Sequence, residues 1–445
     1  MNDDIPRLLD LGARLVEAAR RSGADAADAA VVSARSRSVQ VRMGRVEELE
    51  SSESDEVSLR VFVGRRVATV SSDLRSDPQR LAERAVAMAR VSPEDPYAGL
   101  ADASLLSDGA DGLDLYDPTE PDGAALADEA KALEAAALAV QGVSNSSGAT
   151  SGFGTSGLVL VTSTGFSGSR LRSGFSRSVS VVAGEGTGME RDYDFDSRIH
   201  AGDLDAAEAI GRRAGERAVR RLHPAKMDTG RYAIVLDPRV SRGFIGSLVG
   251  ALNGASIARR TSFLKDRMGE RVLPEGLDLV DDPQLARRPG SRPFDGEGVR
   301  GERLMLVENG TLRNWVLDSA TARELNLASN GRASRSSSGV SPSSSNVTLT
   351  PGARSAAELI RDTGRGIYVT ETIGHGANLV TGDYSCGASG FLIENGELAG
   401  PVSEFTIAGN LTDMFAAIEP ANDGDTRFSL VVPSLRIGEM TVAGR

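Results

Sequence analysis

Apolar residues at Leu8, Leu11, Leu15 and Ala19 recur at spacings of three and four, which predicts a helix over Ile5–Arg21 that ends at Gly23. From 29 to 72 the period changes to two, as in Val39-Gln40-Val41-Arg42 and Ser58-Leu59-Arg60-Val61-Phe62-Val63, with Gly44 and Gly64 at turn positions. That pattern predicts an antiparallel meander, followed by a second helix over 77–91. After a connection rich in Pro and Asp over 92–118 the order returns, with a helix over 121–141, alternating segments over 151–199 and a helix over 203–222. A one-sided sheet needs helices over its apolar face, so two such rounds imply a layered α+β domain. His223-Pro224 and Asp228-Thr229-Gly230 mark its end, dividing the chain into 1–227 and 228–445.

The second part has a different texture. Arg231–Leu236 reads as a strand and Ser241–Ile257 as a helix of small residues, after which short strands separated by Gly, Asn and Ser dominate. Two segments rhyme, Leu306-Val307-Glu308-Asn309-Gly310-Thr311-Leu312 and Leu392-Ile393-Glu394-Asn395-Gly396-Glu397-Leu398. Asn-Gly tolerates positive φ at both central turn positions, so each is a two-residue hairpin. The fold class expected is α+β, the second domain β-rich and Gly-rich as a barrel or sandwich. The serine-rich stretch Ser329–Asn346 lacks periodicity and reads as a mobile surface loop that could meet substrate.

Composition narrows the function. Fifty Lys and Arg against 62 Asp and Glu give a net charge of −12, which repels phosphate backbones, so nucleic acid is not an expected partner. Arg220, Arg221 and Lys226 read as a solvated local cluster. A lone cysteine, Cys386, forms no internal disulfide, which favours a reducing compartment, the cytoplasm. Neither a signal peptide nor a membrane span is expected, because Met1–Asp4 are polar and acidic and no long uncharged apolar run follows.

Catalytic chemistry is thinly supplied. Imidazole is limited to His200, His223 and His375, none in a His-Glu-x-x-His pair, so a self-contained zinc site is not expected. Ser262-Phe263-Leu264-Lys265 fits Ser-x-x-Lys but lacks the companion motifs of serine acyl-transfer enzymes. Cys386 with His375 and Asp383, all within Gly374–Gly390, forms the one nucleophilic constellation, a cysteine hydrolase if a base or field makes the thiolate. The same thiol reads more simply as a packed core residue, the common place for a single small thiol.

Gly376-Ala377-Asn378-Leu379-Val380-Thr381-Gly382-Asp383-Tyr384-Ser385, then Gly387-Ala388-Ser389-Gly390-Phe391-Leu392-Ile393-Glu394-Asn395-Gly396, and the segment from Pro401-Val402 to Thr406-Ile407-Ala408-Gly409-Asn410-Leu411 resemble the TldD/TldE (PmbA) family. In that family the TldD type holds zinc with a His-Glu-x-x-x-His helix and a late cysteine, and pairs with a metal-free TldE type to form a protease. By this resemblance the His, Glu and His positions fall on Ile245, Gly246 and Gly250, and Ile418–Val432 contains no cysteine. The resemblance therefore implies a TldE-type subunit of a zinc metallopeptidase complex that binds no metal of its own, the zinc sitting in a TldD-like partner. Unfolded or short polypeptides are the implied substrates, held by strand addition to hairpin edges with Gly374, His375, Asn378, Asp383 and Ser385 as contacts. A self-contained cysteine hydrolase using Cys386 and His375, and modulation of DNA gyrase, suggested by the family's older name, are the rival expectations; whether the chain forms a homodimer without the partner is left open by the sequence.

Overall fold

The computed structural model describes residues 4–109, 112–336, 339–374 and 376–445. Helix α1 spans Ile5–Arg21 and buries Leu8, Leu11 and Leu15, the face its periodicity predicts. Strands β1 (Ala26–Arg42), β2 (Arg45–Val63) and β3 (Arg66–Ser72) follow, then α2 (Pro78–Val91), whose first turn is capped by Asp77 accepting from the Arg80 N–H. The second round gives α3 (Gly123–Leu138), β4 (Val143–Thr162), β5 (Ser167–Ala183), β6 (Glu190–Arg198) and α4 (Ala207–Arg220).

The two rounds share a single antiparallel sheet, ordered β3-β2-β1-β4-β5-β6, because β1 pairs with both β2 and β4. Strand alternation gives it two distinct faces. Ala27, Ala29 and Val31 of β1 pack in the core under α1 and α2, while Val39 and Val41 further along meet Leu126 and Ala130 of α3. Helices α3 and α4 approach closely at Gly211, where a Cβ would come 2.2 Å from the Leu133 carbonyl oxygen. On the opposite face, Ala30 and Leu160 join Phe166 and Phe294 and so tie the sheet to the second half of the chain.

That half is built on a seven-stranded sheet. Strands β7 (Ala225–Lys226), β8 (Gly230–Leu236), β9 (Gly366–Ile373), β10 (Asp383–Glu394), β11 (Glu397–Asn410), β12 (Ile418–Pro420) and β13 (Leu435–Ala443) are ordered β12-β13-β8-β9-β10-β11-β7. A further pairing of β11 with β13, Thr406 opposite Ala443, joins five of them into a barrel-like ring. Asn395 and Gly396 both have positive φ, 52° and 78°, and form the tight turn between β10 and β11. Asn309 and Gly310 do the same between Leu304–Glu308 and Thr311–Leu312. The core of this half includes Ile234, Phe244, Leu248, Ile367, Phe405, Phe415 and Leu435.

Three expectations are corrected. The helix expected over 241–257 is two: α5 (Pro238–Ala251) and a short helix Gly254–Ala258, which Asn253 caps by accepting from the Ala255 N–H. Ser329–Asn346 is not a mobile surface loop over its described residues. Ala333–Ser336 pairs with Gly339–Pro342, and Arg332 is fully buried against Asp281, Nε to Oδ2 at 2.9 Å. The stretch lacks periodicity because internal polar bonds, rather than an apolar face, fix it. Residues 337 and 338 of that call lie outside the described residues. Arg220 and Arg221 are not merely solvated either. Arg220 stacks over the Phe391 ring at 5.0 Å, and half-buried Arg221 joins Asp192 of β6 to Glu371 and Ser389 of the barrel.

Candidate functional site

Helix α5 follows β8 directly. Asp237 caps it by accepting from the Arg239 N–H at 2.8 Å, Pro238 fits its first turn, and the Tyr368 hydroxyl donates to the other Asp237 oxygen at 2.7 Å. One face carries Val240, Phe244, Ile245, Leu248 and Ala251 into the barrel core. Gly246 and Gly250, four residues apart, share a different face and line a cleft of about 390 Å³ with Val249, Asn253, Ser344 and Leu430. A Cβ on Gly250 would stand 3.2 Å from Leu379 Cδ1, and one on Gly246 would stand 3.6 Å from Leu430 Cδ2. The cleft floor is therefore bare helix backbone between two leucines.

This arrangement does not suit a catalytic metal. A catalytic zinc takes three imidazole, carboxylate or thiolate ligands. Ile245 points into the core, Gly246 and Gly250 carry no donor, and the polar side chains lining the cleft are Asn253, Ser343, Ser344, Ser345 and Ser429. Among the described residues no three His, Cys, Asp or Glu side chains are grouped to hold an ion.

The loop from Gly374 to Asp383 closes beside this cleft. Its glycines at 374, 376 and 382 all have positive φ, and Asn378 organises the turn: its N–H donates to the Asp383 carbonyl at 2.8 Å and its side-chain oxygen accepts from the Val380 and Thr381 N–H groups. The Leu379 carbonyl accepts from the Phe263 N–H at 2.8 Å, fastening the loop to the segment after α5. Asn378 is thus exposed but spends its amide oxygen on the turn. Gly374, Asp383 and Ser385 are exposed, Asp383 accepting from the Thr381 hydroxyl at 2.7 Å.

Strand alternation separates the members of the nucleophilic constellation. Asp383 and Ser385 face out while Tyr384 and Cys386 face in. Cys386 donates to the Tyr384 hydroxyl at 3.2 Å, and burial pushes its thiol above the ordinary value despite that contact, the opposite of what a nucleophilic thiolate needs. The structure does not bring Cys386 and Asp383 together, and His375 lies outside the described residues. Ser262 is buried and donates to the Ala251 carbonyl at 2.7 Å, while Lys265 pairs with Asp266, so the Ser-x-x-Lys match serves packing. His200 lies against Asp114 at 3.2 Å and His223 is exposed in a turn.

Of the serine-rich stretch offered as a substrate contact, Ser343, Ser344 and Ser345 wall the cleft; Ser429 carries no sequence signal, because its segment reaches the cleft only through the sheet in which Val347–Leu349 pairs with Leu430–Val431.

Three family models match the chain in succession: PmbA/TldA metallopeptidase domain 1 over residues 27–89, the central domain over 116–222 and the C-terminal domain over 229–444. The chain is 36% identical over 427 residues to metalloprotease PmbA of Escherichia coli O157:H7, covering 95% of this chain and 93% of that one. It is 34% identical over 433 residues to a PmbA homologue of Haemophilus influenzae, covering 96% and 94%. A solved Bacteroides thetaiotaomicron protein, named as a candidate modulator of DNA gyrase, superposes with a TM-score of 0.90 at 28% identity over 98% of both chains. TldE of Thermococcus kodakarensis shares the fold, with a TM-score of 0.85 at 21% identity over 98% of this chain and all of that one.

Proposed function

The chain belongs to the PmbA/TldD metallopeptidase family, and from that premise we propose that it is the metal-free subunit of a two-chain peptidase. The observation that carries this reading is the face of α5: Gly246 and Gly250 present backbone to the cleft, and Ile245 is consumed by the core. A TldD-like partner supplies the zinc and the bond-breaking step. This chain supplies a wall of the substrate chamber, its bare helix backbone and exposed Gly374, Asp383 and Ser385 accommodating an extended polypeptide of little side-chain preference. Such recognition suits short or unfolded polypeptides and a cytoplasmic setting. Among the described residues no helix is long and apolar enough to cross a membrane.

Co-expression with a TldD-like chain from the same genome tests the reading. A stable complex should form whose peptidase activity needs both chains and is lost on chelation, with zinc stoichiometric in the partner alone. Peptide cleavage by this chain by itself in the presence of chelator, or one zinc per copy of the purified chain, overturns it. Recovery of DNA gyrase without a TldD-like chain in a pull-down would favour a modulator role instead.

A further inference from the structure

A second cleft, of about 430 Å³, lies between the helix-free face of the first sheet and the segments 289–296 and 333–336. Its charge is unbalanced. Arg170 and Arg172 enter from β5, Arg292 and Arg335 from the opposing segments. Each is fixed from one side by a main-chain carbonyl: Arg170 donates to Phe294 at 3.3 Å, Arg292 to Ser343 at 3.0 Å, Arg335 to Gly296 at 3.0 Å, and Arg172 to Pro289.

The acids nearby are committed elsewhere. Asp28 lies between Arg60 and Arg335, and Glu297 lies against Arg60 and accepts from the Ser319 N–H. Asp295 accepts from the N–H groups of Glu297, Val299 and Ala333. Glu56 stands exposed at the rim. Among the described residues no carboxylate lies within ion-pair distance of Arg170, Arg172 or Arg292. Among the described residues nothing hydrogen-bonds to the buried Arg292 Nε and Arg335 Nη2, and the Arg335 side chain is only 8% exposed.

Buried polar groups are nearly always satisfied, and an unmatched buried cation is costly unless something pairs with it. Burial, together with Arg292 and Arg172 and against the opposing pull of Asp295, depresses the Arg170 guanidinium to about 10. A planar guanidinium with free N–H groups is the usual receptor for a carboxylate or phosphoryl group. Beside the cations stand Ala30, Val32, Leu115 and Leu158, and the volume falls in the range of small-molecule sites.

We infer that this cleft binds a small organic oxyanion, a carboxylate or phosphoryl head carried on an apolar body, between Arg170, Arg172 and Arg292. The site is complete within this chain and stands whether or not the chain works as a peptidase subunit. It adjoins the α5 cleft, since Ser344 lines both.

Isothermal titration of the full chain at low salt tests it with three probes: N-acetyl-leucine, inorganic phosphate and the uncharged N-acetyl-leucinamide. One or both anions should bind at a single site while the amide does not; which anion binds tells a carboxylate head from a phosphoryl one. Arg170→Met and Arg172→Met should each weaken binding by about ten- to a hundredfold, the scale of a lost hydrogen bond to a charged group. Both variants should melt close to the parent without ligand, because each loses one main-chain hydrogen bond together with a half-buried cation that lacks a carboxylate partner among the described residues. Val32→Glu, which sets a carboxylate in the cleft, should abolish binding by occupying the guanidiniums from within, and serves if either arginine variant fails to fold. Failure of both anions to bind at about 10 mM, beyond the millimolar range of ordinary weak sites, overturns the inference. So does affinity unchanged in the arginine variants or in Val32→Glu.

Discussion

Replacing Asp28 with Asn should destabilise the junction between the two halves of the chain by several kcal/mol. Asp28 is fully buried, and its oxygens meet Arg60 Nη2 at 2.5 Å, Arg60 Nε at 3.0 Å and Arg335 Nη1 at 2.9 Å. Arg60 also reaches Glu297, at 3.4 Å, so one carboxylate from the first sheet and one from the second half together neutralise guanidiniums from both. Asparagine keeps the size, removes the charge and turns an N–H₂ toward a guanidinium, leaving Arg60 with Glu297 and taking from Arg335 the carboxylate it faces. Breaking a buried pair by removing one partner costs about 3–5 kcal/mol, a large share of the roughly 5–15 kcal/mol that holds a typical domain folded. Urea unfolding at pH 7, followed both by far-ultraviolet circular dichroism and by the fluorescence of Trp315, the sole tryptophan, reads the loss. Acid titration gives a second arm. Burial alone would raise the Asp28 carboxyl, but Arg335 and Arg60 outweigh it and hold it below 3.8. Its stabilisation is therefore present above that ordinary value and lost as the pH falls through the lower folded one, a loss the variant cannot show. An unfolding free energy for Asp28→Asn within about 0.5 kcal/mol of the parent, the range of a neutral surface change, would refute the reasoning.

Three further outcomes are expected. Burial, reinforced by Glu297, raises Asp295 from 3.8 to about 6, so its contribution is full below the unfolded value and fades as the pH rises through about 6, by about 3 kcal/mol in all; Asp295→Asn should flatten stability across that interval in a pH series of thermal melts, and an unchanged slope counts against it. In Gly390→Ala the new Cβ would stand 2.0 Å from the Tyr368 carbonyl oxygen across the β9–β10 pairing, so the variant should lose about 3 kcal/mol or more, at or beyond the usual cost of overpacking, and a melting temperature equal to the parent's would contradict the close approach. Cys386→Ala should lower stability by about 1 kcal/mol, as a modest core truncation does, yet leave peptidase activity of the reconstituted pair intact; loss of activity in a folded pair would restore the thiol as a nucleophile.

Local signals carried much of the architecture. The bounds of α1 and the two Asn-Gly turns were readable because helix periodicity and the positive-φ requirement act within a few residues. The break after α5 was not, since small apolar residues run on through it and the contacts that turn the chain there come from far along it: the Leu252 carbonyl accepts from the Val316 N–H, and the Asn253 side chain donates to the Pro342 carbonyl and caps the next helix by accepting from the Ala255 N–H. Arg332 sat in a stretch that looks loop-like because its partner Asp281 is far away in sequence. The guanidinium cleft escaped for the same reason: Arg170 and Arg172 are strand residues with ordinary alternation, and their excess charge exists only once Arg292 is folded against them. Of the candidate site, the loop around Asn378 was visible as a glycine-rich motif, whereas the outward Asp383 and inward Cys386 follow from strand parity that a list of reactive residues ignores.

The ring-closing strand β13 pairs with β8 on one side and β11 on the other. During synthesis the edge of β8 therefore waits unpaired while the polypeptide between Leu236 and Leu435 leaves the ribosome, and the opposite flank of β11 waits with it. Open strand flanks invite mispairing with other nascent chains. Slow translation or a shortage of chaperones should harm this half of the molecule first, and a C-terminal fusion that delays docking of β13 would prolong that vulnerable interval.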